Sequence, residues 1–270
     1  MTARRILNII IKEWQVTFSD VNSTLMITLL PLIILIQGLL YVWLISRFGT
    51  GSLLSNRLVL DALQNLLAAL PAAAELPPGG QLLLLLLTQF NFYLLLIPLM
   101  ITVNLTTFSI VEEKLFRSLE PLLATPVKTW ELLLGKALSG ALPAVAITWI
   151  CALLFQVGVA VMGWGELVQM VINPTWFISL LLLNPAVTVL SFLLGIIGSS
   201  RARDFRSAQN LVVIIILPLL ALIGVQVTGL VWFTPLLTVI LGVFLGVINL
   251  LALKVAVRLF QRESIILQWR

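Results

Sequence analysis

The sequence contains no histidine and a single cysteine, Cys151. The first absence excludes a histidine-ligated zinc centre and any nucleophile–histidine pair within the chain, and the second excludes an intramolecular disulfide. Cys151 lies in an apolar run, where a lone thiol packs as a small hydrophobe. Charge is scarce as well: 10% of residues are Asp, Glu, Lys or Arg, against about 25% in soluble domains. With 60% apolar residues, a chain of this length cannot hide its hydrocarbon from water, so it reads as an all-α integral membrane protein with no soluble domain and no internal repeat. Its long apolar stretches carry no Asp, Glu, Lys or Arg away from their ends, which argues against a proton relay or a voltage sensor. The sequence also has no G-x-x-x-x-G-K-[ST] phosphate loop, so it predicts no nucleotide bound by this chain.

What is present is hydrocarbon in membrane-length runs. A bilayer core of about 30 Å needs about 20 helical residues. Six segments meet that length: 25–46, 82–110, 138–161, 176–198, 211–231 and 235–257. The basic residues set an orientation. With both termini cytoplasmic, fourteen of the sixteen lysines and arginines fall inside and only Arg47 and Arg57 outside, the bias that the positive-inside rule describes. The net charge of +5 therefore points to membrane flanks and lipid rather than to nucleic acid. The external loop 47–81 contains a short amphipathic helix over 58–70 and a turn at Pro77-Pro78-Gly79-Gly80. A short basic cytoplasmic loop is expected over 199–210, and the connection between the last two spans, around 232–234, is either a tight turn or a partly re-entrant hairpin.

Residues 4–20 precede the first span. Ile6, Leu7, Ile10, Ile11, Trp14 and Phe18 step by three and four into one apolar stripe, with Arg4, Arg5, Asn8, Lys12, Gln15 and Ser19 opposite. That pattern predicts a helix lying in the interface plane. Lys12 and Glu13 interrupt the apolar region and no small-residue cleavage site follows, which argues against a signal peptide.

The longest charged segment is E-E-K-L-F-R-S-L-E-P-L-L-A-T-P-V-K-T-W, residues 112–130. Pro121 and Pro126 divide it, predicting two short helices on the water side of the membrane. Leu115, Phe116, Leu119, Leu122 and Leu123 give it one apolar face, suited either to resting on the bilayer or to docking a protein. The segment resembles a motif in permease subunits of ATP-binding-cassette (ABC) transporters of the type-2 export family. The matching positions are Glu112 or Glu113, Leu119, Glu120, Leu122, Leu123, Thr125 and Pro126; Arg117 stands where the family has glycine, and Ser118 where it has threonine. Lys12, Glu13 and Asp20, flanking Trp14, resemble the family's entry helix, with Ser19 in place of an arginine.

The resemblance implies a membrane-spanning permease subunit: six transmembrane helices, an N-terminal interfacial helix, and a cytoplasmic coupling helix within 112–131 that includes Pro121 and touches an ATPase subunit. It implies no catalytic, cofactor or metal site on this chain, with ATP and magnesium on the partner ATPase. It further implies a homodimer or paired permease in the cell membrane. A non-transporting scaffold, or a membrane-embedded lipid-modifying enzyme, is the alternative. Milder polar groups remain inside the spans: Thr88, Asn91, Thr102, Thr106 and Ser109 share a narrow arc of the second span, and Gln37 and Asn184 stand alone. Such groups either bond between helices or line a substrate path. Prolines 31, 98, 143, 185 and 218 each free a carbonyl four residues earlier, and Gly242 and Gly246 permit close helix approach.

Overall fold

Long apolar runs broken by proline, glycine and asparagine dictate a bundle of helices whose ends are written in those breakers. The structure, a computed structural model, describes residues 2–48, 54–102, 105, 128–200, 205–229 and 231–259. Among these the chain is helical with no strand. Helices α1 (Thr2–Ser19), α2 (Val21–Phe48), α3 (Arg57–Ala69) and α4 (Pro78–Tyr93) come first. Helix α5 (Thr129–Val159), α6 (Gly165–Val171) and α7 (Pro174–Ile178) follow, then α8 (Asn184–Ser200), α9 (Phe205–Val227) and α10 (Pro235–Leu259). Among the described residues five helical stretches are long and apolar enough to cross a membrane, or six when the two arms of α9, bent by 47°, count as one span.

Several boundaries differ from the sequence expectation. Pro77-Pro78-Gly79-Gly80 is not a free turn, because Pro78 occupies the first turn of α4, where its missing N–H and fixed φ cost nothing. Helix α5 begins nine residues before the expected span. Its 31 residues reach about 46 Å, longer than a bilayer core, so its charged first turns extend past the apolar zone. The basic loop expected over 199–210 is mostly helix, since α8 runs to Ser200 and α9 begins at Phe205. Two residues past the end of α9 stands a glycine with positive φ, Gly229 (+71°), a conformation that closes a helix end without a Cβ penalty. Beyond it 231–234 are non-helical, and buried Phe233 sets its ring edge-on against Phe92 of α4, 5.4 Å between centroids.

The breaks at Pro98, Pro143 and Pro185 each have a visible compensation. Pro98 interrupts the second span: two turn residues, Leu94 and Leu95, precede helix 96–102, and the freed Leu94 carbonyl takes the Ile97 N–H at 3.0 Å. Pro143 deprives the Ser139 carbonyl of its donor, and the Trp14 indole N–H from α1 replaces it at 2.6 Å. Before Pro185 the helix widens into a π turn over Ser179–Leu183, with the Asn184 N–H bonded back to Ser179. The Leu180 carbonyl then has only a proline five residues on, and Trp149 of α5 donates to it at 2.9 Å. Pro218 frees the Ile214 carbonyl at the point where α9 bends, as prolines in helices do.

Helices α4 and α8 are the most enclosed spans, while α2 and α10 turn wide apolar faces outward, Ile33 and Leu250 among the most exposed. Gly38 and Gly140 allow Phe90 and Phe192 to press directly on neighbouring backbone, and Phe90 stacks on Phe155 at 3.9 Å. Gly242 seats Leu182 in the same way, whereas Gly246 meets nothing.

Candidate functional site

Two polar places stand out in this hydrocarbon, at opposite ends of the bundle. The first is the junction of α1 with the start of α5. Helix α1 has two apolar faces rather than the single stripe its periodicity predicts. Ile6 and Ile10 turn toward the bundle with Glu13, while Leu7, Ile11, Trp14 and Phe18 stay substantially exposed. Glu13 is buried and lies 3.5 Å from the equally buried Lys136 and 3.0 Å from Lys12. Burial alone would raise the Glu13 carboxyl; the charges and hydrogen bonds of Lys136 and Lys12 outweigh it and hold the group below its ordinary value. Arg5 lies 3.6 Å from Glu131, whose side chain is almost wholly buried. Glu131 also accepts the Lys128 backbone N–H at 3.1 Å, one half of a capping box; a lysine ammonium has no lone pair to supply the other half. With the Trp14–Ser139 bond, these contacts fasten α1 along the first three turns of α5.

Asp20, grouped with these residues on sequence, sits instead at the α1–α2 break. Its carboxylate accepts the Ser23 N–H at 2.8 Å, a cap for the first span. Glu112, Glu113, Arg117, Leu119, Glu120, Pro121, Leu122, Leu123, Thr125 and Pro126 lie outside the described residues, as do Thr106 and Ser109. Thr129 to Glu131, at the end of the expected coupling segment, are the first turn of α5.

The second polar place follows the enclosed α4. The Asn91 amide donates to Ser179, and the Thr102 and Ser191 hydroxyls lie 2.9 Å apart. Both pairs join the second span to the fourth, even though the break at Leu94–Leu95 interrupts the regular arc inferred from spacing. Thr88 bonds only back to the Leu84 and Leu85 carbonyls of its own helix. Gln37, isolated in the sequence, donates to the Tyr41 hydroxyl at 2.9 Å and accepts from Tyr93 at 3.2 Å. Gln37, Tyr41 and Tyr93 border a groove of about 700 Å³ between α2, α3 and α4.

Next to that groove, at the α3 end of the bundle, a smaller cavity of about 220 Å³ opens between α4, the α6–α7 connection, the end of α9 and the 231–235 stretch. Thr88 and Asn91 line it, and so do Gln89, Trp176 and Gln226, which sequence reasoning did not select. Gln89 falls off the polar arc and Gln226 closes an otherwise apolar run; an uncharged amide that deep in a span was the available signal. Among the described residues no cluster of acidic or cysteine side chains could hold a metal ion.

A family model for ABC-2 family transporter proteins matches residues 7–241 of the chain. No curated protein and no solved structure matches it.

Proposed function

We propose, from the premise that this chain belongs to the ABC-2 transporter family and is a permease component of an ABC transporter, that it is the membrane subunit of an exporter driven by a separate ATPase. The observation that carries this is the match across 7–241 together with a sequence that has no phosphate loop. In this reading the chain is a transport subunit rather than an enzyme, it works as a pair of permeases, and ATP and magnesium are held by the partner. It is a multi-pass membrane protein, with both termini cytoplasmic in the cell membrane on the strength of the fourteen-to-two distribution of cations.

The ATPase docks on 112–127, with Leu119, Leu122 and Leu123 as buried anchors and Glu112, Glu113 and Glu120 at the rim. A shift of that segment enters the bundle through the first turns of α5. Because α1 is fastened there by Arg5–Glu131, Glu13–Lys136 and Trp14–Ser139, α1 and α5 move together. ATP shifts such an equilibrium only through its different affinity for the two arrangements.

Co-purification tests this reading. The chain is co-expressed with a candidate ABC-type ATPase that carries a phosphate loop, and capture and substrate-stimulated hydrolysis are both measured. Truncating a buried interface anchor costs about 2 kcal/mol or more, roughly thirty-fold in affinity, so Leu122→Ala and Leu123→Ala are expected to lose most of the captured ATPase. Wild-type capture by both variants would overturn the docking assignment. Capture without any substrate-stimulated hydrolysis would make the chain a scaffold.

A further inference from the structure

The cavity at the α3 end has a chemistry of its own. Eight buried side-chain polar atoms among the described residues have no hydrogen-bond partner, and five of them belong to four residues that line this one cavity. They are both amide atoms of Gln89, the Asn91 Oδ1, the Trp176 Nε1 and the Gln226 Oε1. All four side chains are more than nine-tenths buried. Leaving such an atom unpaired costs about 1–3 kcal/mol, and a fold does not gather five by packing alone. No charged residue lines the cavity, so a phosphate, carboxylate or ammonium would meet no counter-charge here, and burying one unpaired is prohibitive.

The unpaired set holds two donors, from Gln89 and Trp176, and three acceptors, from Gln89, Asn91 and Gln226. A hydroxyl offers both roles at once. The aromatic residues Phe92, Trp232 and Phe233 also line the cavity, and aromatic rings suit the C–H face of a small ring. The volume of about 220 Å³ falls below the roughly 300–1,000 Å³ of sites for drug-sized molecules. We infer that this cavity binds a neutral, polyhydroxylated ring of monosaccharide size, free or as the head of a glycolipid, through Gln89, Asn91, Trp176 and Gln226. The inference goes beyond the permease reading and stands apart from it, since binding requires neither ATP nor an ATPase.

The test uses the full chain in phosphatidylcholine nanodiscs, free of sugar-headed detergent. Glucose and glucose 6-phosphate are titrated separately while tryptophan fluorescence and thermal unfolding are followed, and a parallel set of nanodiscs contains monoglucosyl diacylglycerol. Expected is a saturable response to glucose and a far weaker one to its phosphate. A response confined to the glycolipid nanodiscs supports the site and identifies the ligand as lipid-borne. Trp176→Phe keeps the ring and loses the N–H, and Gln226→Leu loses an acceptor; each is expected to weaken binding by about tenfold. If Gln226→Leu fails to fold, Trp176→Phe carries the comparison. No saturable response to either glucose source, or wild-type affinity in Trp176→Phe, would overturn the proposal and leave a water-filled cavity. Neither result bears on ATPase capture, which tests the permease reading separately.

Discussion

The α1–α5 junction and the α3-end cavity are built on opposite terms. At the junction every named charge has a partner of opposite sign: Glu13 with Lys136 and Lys12, and Glu131 with Arg5. In the cavity the polar groups are neutral and five of their buried atoms are unpaired. A buried charge is tolerated only beside its partner, so ionic groups in such a bundle report contacts already made within the protein. An unpaired atom of an uncharged amide costs less, about 1–3 kcal/mol, and can be kept for a ligand that pairs it. The pairing state of a buried polar group therefore separates a fastening from a receptacle, and substitutions that treat both regions alike test that distinction.

The largest expected effect lies at the junction. Removing one partner of a buried pair is destabilising by about 3–5 kcal/mol, whereas replacing both with apolar groups of similar size is close to neutral. Glu13→Leu should lower the thermal midpoint sharply, and Glu13→Leu with Lys136→Met should recover most of the loss. Equal midpoints for the single and double variants would mean that the pair is not coupled.

The same contact has a pH signature. Because the Glu13 carboxyl is held below its ordinary value, it binds fewer protons in the folded chain than in the unfolded one. Its contribution is complete above the ordinary value near 4.5 and disappears as pH falls through the lowered one. Midpoints of wild type and Glu13→Gln should therefore converge on acidification below about pH 4.5 and stay apart at neutral pH. A gap that does not narrow would remove the ionised carboxylate from the explanation.

A hydrogen bond is the next step down. Trp14→Phe strands the Ser139 carbonyl and should cost about 1 kcal/mol. In a Pro143→Ala background, where residue 143 regains an N–H, the same substitution should cost much less. Identical costs in both backgrounds would show that the indole serves only as packing.

The smallest effect is expected in the cavity, and its sign is the informative part. Gln226→Leu or Gln89→Leu removes an amide that has unpaired atoms, so the ligand-free protein should be unchanged or slightly more stable, by up to about 1 kcal/mol. A loss as large as that of Glu13→Leu would show that these amides are as firmly paired as the junction, and the contrast between the regions would fail.

Composition and local pattern determined the class of this protein by themselves. Sixty per cent apolar residues with ten per cent charge leave no stable arrangement but apolar helices in lipid, because only structures that satisfy their own backbone survive there. The prolines at 98, 143 and 185 likewise announced freed carbonyls, since that loss is a local covalent fact. What the sequence could not say was which group from elsewhere in the chain would answer. Trp14 reaches Ser139 across 125 positions and Trp149 reaches Leu180 across 31; neither tryptophan differs in its local pattern from an ordinary apolar residue. The division of α1 into two faces, and the choice of Gln89, Trp176 and Gln226 as cavity walls, were decided the same way. Periodicity records that a side chain is apolar or polar, whereas its partner is fixed only when helices distant in sequence pack and leave, or close, the space between them.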